Sequence, residues 1–316
     1  MAHRIQQVRK PPALAPRQAN GHKGLYGHIL VVGGSRGMIG AVALAANAAL
    51  RGGAGLVTFA APETVQLSIA GLCPCATSAP LSCGADGQLS PRCVRQMLQA
   101  AENCDVLAVG PGLAVGKAQQ DLIQAALEQE RPVVLDADGL NNLALMESWP
   151  ILRRCPLVLT PHPGEFARLT GRPIREIHAD RRGSAIRAVT EWTGNGQGAQ
   201  GRRKASSGSA GAAPEPWQEL PLVLVLKGAA TVVTDGRRVY VNDTGNPGMA
   251  TGGTGDILTG LAAALLGQGM KPFDAACLAV HAHGLAGDLA AGELGQVSMI
   301  AWDLLDYLPK AMKSRR

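Results

Sequence analysis

"GHILVVGGSRGMIGAVALAANAALRGGAGLVT", residues 27–58, is the stretch whose reading decides the fold. "HILVV" (28–32) is short and apolar without polar alternation, the pattern of a strand buried on both faces. "GGSRGMIG" (33–40) is a glycine turn, "AVALAANAALRGG" (41–53) a helix of small residues stopped by glycines, and "GLVTFA" (55–60) a second strand. Two parallel strands need a crossover of this length between them, so the unit predicts a parallel sheet covered by helices.

The same alternation continues outward. "DVLAV" (105–109), "PVVLD" (132–136) and "LVLT" (157–160) read as strands, each followed by a helical segment. "PLVLVLKG" (221–228) is another, and "ATVVTDGRRVYVN" (230–242) carries Asp-Gly between two β runs, a hairpin signal. The last third reads as helix over 253–267, about 273–292 and 299–309. In such sheets ligands sit beyond the carboxyl ends of the strands. The segments "GGS", "GPG", "DADGLN", "TPHPGE" and "KGAAT" all follow strands and are therefore the places to expect function.

Composition bounds the class. The chain has 316 residues, 46% hydrophobic and 3% aromatic, which suits one large domain with a core of small aliphatic side chains. No apolar run is long enough to span a bilayer. The net charge of +6 is concentrated at the ends: Arg4, Arg9, Lys10, Arg17 and Lys23 near the start, Lys310, Lys313, Arg315 and Arg316 at the finish. The body between them is net acidic, which argues against a nucleic-acid groove and for an unstructured basic tail over residues 1–26. One domain is expected over 27–316. The Gly/Ala/Ser-rich stretch 193–220 lacks periodicity and is expected to be a disordered surface insertion. The beginning of the chain lacks the apolar core of a secretory signal, and seven cysteines is an odd number; both point to reduced thiols in a cytoplasm. Cys73, Cys75, Cys83 and Cys93 lack the paired spacing of a zinc site and read as buried or incidental thiols.

The chemistry concentrates in "NPGMATGGTGDILTG" (246–260), where glycines precede an apolar helix. Glycine lets backbone N–H groups converge, and the helix N-terminus adds positive potential, so the amides of Gly253, Thr254 and Gly255 would cradle a phosphoryl oxyanion. Asp256 at that spot is either a first-turn helix acid or a base that takes a proton from a hydroxyl about to attack a phosphoryl group. No Walker A occurs, and "GGSRGMIG" fails the G-x-G-x-x-G dinucleotide fingerprint.

Taken in order, "GPGL", "VLDADGLN", "LTPHPGEFARL", "LKGAATVV" and "GNPGMATGGTGDILTG", following the 27–58 stretch, resemble the NAD(P)H-hydrate dehydratase family. The resemblance implies a ribokinase-like three-layer α/β/α sandwich with a mostly parallel central sheet. It implies an ADP-dependent lyase (ATP in other members) that uses Mg2+ and restores NADH or NADPH from the (S)-hydrate. The ring hydroxyl is phosphorylated, and phosphate leaves by elimination. By motif match, Asp256 is the catalytic base; Ala41, Gly112 and His162, with Asp256, contact the hydrate; Lys227, Gly228, Ala229, Ala230, Thr231 and Gly255 contact the adenine nucleotide. An epimerase on a separate chain and a homotetramer also follow from the resemblance; nucleic acid and membrane do not.

Residue by residue, bland readings stay beside these. His162 could be a structural histidine, and Lys227 could extend along the sheet edge rather than pair with phosphate. Asp136, Asp138 and Asn141 read as a turn with a helix cap or as a water-mediated Mg2+ or substrate-positioning group. Glu165 reads as a first-turn acid or an outer Mg2+ group. His281 and His283, two apart on a helix, make a poor metal pair and read as structural. A small-molecule alcohol kinase is the alternative activity, and a nucleotide-binding module without catalysis the alternative of another class.

Overall fold

The computed structural model describes residues 5–194 and 219–313; most of the expected 193–220 insertion lies outside the described residues. Ten strands form a single sheet: β1 (Gln6–Val8), β2 (His28–Val32), β3 (Leu56–Pro62), β4 (Thr77–Leu81), β5 (Val106–Val109), β6 (Val133–Leu135), β7 (Leu157–Leu159), β8 (Leu222–Leu226), β9 (Val232–Thr234) and β10 (Arg238–Val241). Their order is β1-β10-β9-β8-β7-β6-β5-β2-β3-β4. Every neighbouring pair is parallel except the two that β9 makes, with β8 and with β10. The Asp235–Gly236 turn thus closes a hairpin, as its sequence predicts, with Gly236 at φ 82°.

The order reverses between β2 and β5. From β2 the chain winds outward through β3 to β4; from β5 it winds the other way to β8. The loops leaving β2 and β5 diverge there, which opens a crevice at the carboxyl ends. Gly33 and Gly34 follow one strand and Gly110–Gly112 the other, and the Gly34 N–H donates to the Pro111 carbonyl at 2.8 Å.

Two cores flank the sheet. On one face Ile29, Val31, Val57 and Phe59 pack beneath the helices Ile39–Arg51, Thr254–Gly267, Pro272–Leu294 and Ala301–Lys313. On the other, Leu30, Val32, Leu107 and Val109 pack beneath the helices Arg92–Ala101 and Lys117–Leu127 and the shorter helices that follow. Successive residues of the central strands alternate between the two cores, which is why those strands are apolar on both faces.

The abundance of Ala and Gly has a local cause in the helix pair Ile39–Arg51 and Thr254–Gly267. A Cβ on Gly260 would strike the Ala45 carbonyl, and one on Gly52 would lie 2.9 Å from Ala264 Cβ. These helices run in the same direction, with Leu44 beside Gly253 and Gly52 beside Leu261 and Ala264. Their small residues bring both helix starts to the same end of the sheet.

Two elements depart from the sequence reading. The expected tail over 1–26 is ordered from residue 5: Gln6–Val8 pairs parallel with β10, and Lys23–Tyr26 forms a 3-10 turn. Arg17 lies 4.0 Å from the centre of the Tyr26 ring. Three residues with two glutamines give no periodic signal, so only the partner strand reveals β1. The edge strand β4, "TSAPL", was equally silent, with one proline and no Val or Ile. Cys73 and Cys93 sit in opposite core layers, and all seven cysteines are free thiols. No helix among the described residues is long and apolar enough to cross a membrane.

Candidate active site

The helix Thr254–Gly267 begins at Gly253, whose φ of 92° is left-handed and which supplies no side-chain cap. Its first amides are therefore left open, the arrangement expected of an anion cradle. Thr254 does not compete for them. Its Oγ1 donates back to the Met249 and Thr251 carbonyls (3.1 and 3.2 Å), and its own carbonyl accepts from His283 Nε2 at 2.8 Å. His283 is partly buried and held neutral, its pKa lowered to about 4 by desolvation, so it serves as a brace.

Thr254 and Gly255 form one end of a cavity of about 670 Å3. Its walls are Lys227–Thr231, the segment Asn242–Asn246, and apolar side chains including Met249, Leu258 and Val280. All six expected nucleotide positions line it: Lys227, Gly228, Ala229, Ala230, Thr231 and Gly255. Ala230 (φ 52°) and Gly228 (φ 134°) bend this loop into backbone states that side chains resist. Arg181 holds it from outside, donating through Nη2 to the Leu226 and Lys227 carbonyls, both at 3.0 Å. Of the segment Asn242–Asn246, the part Asn242–Thr244 carries no site expectation from sequence. Its only sequence signal is its position after a strand end.

Asp256 follows directly, and its carboxylate makes no hydrogen bond among the described residues. Its pKa is pushed up to about 7, first by burial and then by Asp136, with Lys227 opposing and Glu165 and Asp138 adding smaller effects. These charges come from three strand ends. Lys227 Nζ lies 2.5 Å from Asp136 Oδ1 and 3.9 Å from Glu165 Oε2. Burial disfavours the ammonium, but Asp136, Glu165 and Asp256 outweigh it and raise its pKa. The lysine thus turns toward carboxylates rather than lying idle along the sheet edge.

Asp136 is anchored by protein groups on both oxygens. Its second oxygen accepts from Thr259 Oγ1 at 2.6 Å, so both oxygens are engaged, and the residue is 1% exposed. Glu165 is also committed: Oε2 accepts the His162 N–H at 2.7 Å, and Oε1 lies 3.3 Å from His162 Nε2. In return His162 Nδ1 accepts the N–H groups of Gly164 (3.0 Å) and Glu165 (3.3 Å), forming a capping box on the helix Pro163–Thr170. Burial and the nearby Lys227 and Arg168 lower the His162 pKa, so the ring is neutral with its proton on Nε2. Burial raises Glu165 to about 7. No group of three or more His, Cys, Asp or Glu among the described residues is placed to hold a metal.

At the crevice, Ala41 and Gly112 meet: a Cβ on Gly112 would lie 3.3 Å from Ala41 Cβ and 2.7 Å from the Met38 carbonyl. The Gly112 loop is fixed by Asp138, which accepts from the Ala114 N–H at 2.9 Å, and by Asn142, which accepts from Gly116 N–H at 3.1 Å. Asn141 Nδ2 donates to Asp138 Oδ1 at 3.1 Å, and the helix Asp138–Leu143 starts without a side-chain cap. His281 faces Tyr240 (3.3 Å), away from His283.

A mostly parallel sheet with a reversal of order, two helical layers and an open-ended glycine cradle define a ribokinase-like α/β protein. The structure of a ribokinase-like superfamily protein from Enterococcus faecalis shares the fold, with a TM-score of 0.73 at 24% identity over 95% of this chain and 92% of that one. The chain belongs to the NAD(P)H-hydrate dehydratase family, whose model matches residues 29–310. It is similar to the bifunctional NAD(P)H-hydrate repair enzyme of Moorella thermoacetica, 44% identical over 95% of this chain and 52% of that protein. The Escherichia coli enzyme of the same name is 35% identical over 94% of the chain and 50% of its own length. The chain therefore spans about half the length of these curated relatives. The structure of the ADP/ATP-dependent NAD(P)H-hydrate dehydratase from Bacillus subtilis, co-crystallized with ATP/Mg2+, matches with a TM-score of 0.74 and 30% identity, covering 96% of this chain and 94% of that one.

Proposed function

We propose that this chain dehydrates the (S)-hydrate of NADH or NADPH at the expense of ADP, with ATP as a second phosphoryl donor. The observation that carries the reading is the meeting of an uncapped glycine cradle, a carboxylate tuned to about 7 and a nucleotide-sized cavity at the same helix start. Asp256 takes the proton of the ring hydroxyl, whose oxygen attacks the terminal phosphoryl group held by the amides of Gly253, Thr254 and Gly255. A base whose pKa lies near the working pH suits that task. Phosphate then departs with the former hydroxyl oxygen, and loss of a proton from the neighbouring ring carbon restores the double bond. Phosphate is a far better leaving group than hydroxide, which is the purpose of the nucleotide.

Lys227–Thr231 with Gly255 hold the nucleotide, and Ala41 with Gly112 wall the hydrate at the crevice. His162 has Nδ1 committed to its cap, so it meets the hydrate through Nε2 or a ring face. Among the described residues none build a cage for Mg2+; a magnesium ion would be carried by the nucleotide phosphates and would supply charge neutralisation there. The relatives are bifunctional by name, so an epimerase interconverting the two hydrate forms is the companion activity. Seven free thiols favour a reducing cytoplasm.

The test incubates the chain with (S)-NADPH hydrate and ADP or ATP and follows regenerated NADPH by absorbance. NADPH appearing in step with nucleotide consumption supports the reading; no NADPH with either nucleotide overturns it.

A further inference from the structure

We propose that Thr259 and Asp136 act together as positioning residues for phosphoryl transfer, Thr259 aiming one oxygen of Asp136 so that the other holds the Lys227 ammonium beside the cradle. The inference deepens the function proposed above and rests on it.

Thr259 is the only polar side chain in the run "ILTGLAAALL" and is completely buried. A buried hydroxyl must be hydrogen-bonded to be tolerated. It has a single proton and two acceptors within reach: Asp136 Oδ2 at 2.6 Å and the Gly255 carbonyl at 3.2 Å. The shorter, charged partner takes the proton. Asp136 is itself buried, just past β6, and its other oxygen binds Lys227, just past β8. One hydroxyl in the second turn of the helix thus sets the orientation of a carboxylate 123 positions away in sequence.

The consequence reaches the reacting centre through Lys227. A Cβ on Gly255 would stand 3.2 Å from Lys227 Nζ and 3.6 Å from Asp136 Oδ2. The ammonium therefore lies directly against the helical turn whose amides form the cradle, and its charge is one of those bearing on Asp256. The groups around Asp256 are Asp136 and Asp138 after β6, Lys227 after β8 and Glu165 on the helix Pro163–Thr170. Arg181 holds the Lys227 backbone in the cavity wall, and Ala229–Thr231 and Asn242–Asn246 line the rest of it, so losing the Thr259 hydroxyl loosens only the Lys227 ammonium. Loosening it should therefore impair turnover while sparing nucleotide affinity.

Thr259→Val keeps the side-chain shape and deletes the hydroxyl. Its kcat should fall about tenfold, KM for ADP should stay within about twofold, and Thr259→Ser should recover most of the loss. With Lys227 less firmly held, Asp256 loses part of the charge that favours its ionised form, so the acidic limb of the kcat–pH profile should move to higher pH. Asp136→Asn, which keeps the shape and removes the charge, should show the same kcat loss but move the acidic limb to lower pH, because the Asp136 carboxylate itself raises the Asp256 pKa; it stands in should Thr259→Val fail to fold. Unchanged kcat and an unchanged profile in an active enzyme overturn the inference alone, as does a KM increase without a kcat loss or a failure of Thr259→Ser to recover. A wild-type chain inactive with the hydrate and either nucleotide overturns the functional reading and the inference together.

Discussion

His162 and Glu165 cap one another. The imidazole accepts two backbone N–H groups of the turn that Pro163 begins, and the Glu165 carboxylate accepts the backbone N–H of His162. This reciprocity fixes the Pro-His-Pro turn at the strand ends while Glu165 stays close to Lys227. It also supplies a test of how the site's charges were placed.

A carboxyl whose folded pKa lies above its unfolded value is favoured by the fold in its neutral form. Its stabilising contribution is fully present below the unfolded value, near 4.5 for Glu165, and is lost as pH rises through the folded value of about 7. Glu165→Gln cannot ionise. Its melting temperature relative to wild type should therefore rise between pH 5 and pH 7.5, and a difference independent of pH would refute the assignment.

Removing the imidazole from the cap tests the other half. His162→Ala should destabilise the chain by about 0.5–2 kcal/mol, the usual range for losing an N-cap side chain. Urea unfolding should show a lower midpoint with an unchanged slope. An unaltered midpoint would mean that the cap contributes nothing.

Asp256→Asn preserves the shape of the side chain and removes its basicity. Its kcat should drop by about 10²-fold or more, the scale of a lost general base. ADP should still bind, because the walls of the nucleotide cavity are untouched. Turnover near that of wild type would exclude Asp256 as the base.

The helix contact at Gly260 predicts a purely structural defect. A Cβ there meets the Ala45 carbonyl, a backbone atom that moves only with its helix. Gly260→Ala should lose about 1–3 kcal/mol of stability, the range for overpacking a close contact. A melting temperature equal to that of wild type would show that the helices separate freely.

Much of this was legible before any coordinates. The strand–turn–helix alternation predicted the parallel sheet, and the position of "KGAAT" and "GTGD" after strands and before a helix placed both at one end. Long-range pairing was not legible. Asp136 read as a metal candidate because sequence spacing cannot show that its partners lie 91 and 123 positions away. Thr259 was silent for the same reason, though one hydroxyl amid ten otherwise apolar positions is a signal worth heeding. β1 escaped because strand patterns need several residues to repeat, and it has only three.

That short strand has practical weight. Gln6–Val8 covers the outer rim of β10, and the next two residues are Arg9 and Lys10, charges that discourage a foreign strand from annealing there. Anyone trimming the gene to the first obvious strand at residue 28 would strip that guard. The shortened product would display bare backbone donors and acceptors along Arg238–Val241, inviting insoluble ribbons during expression.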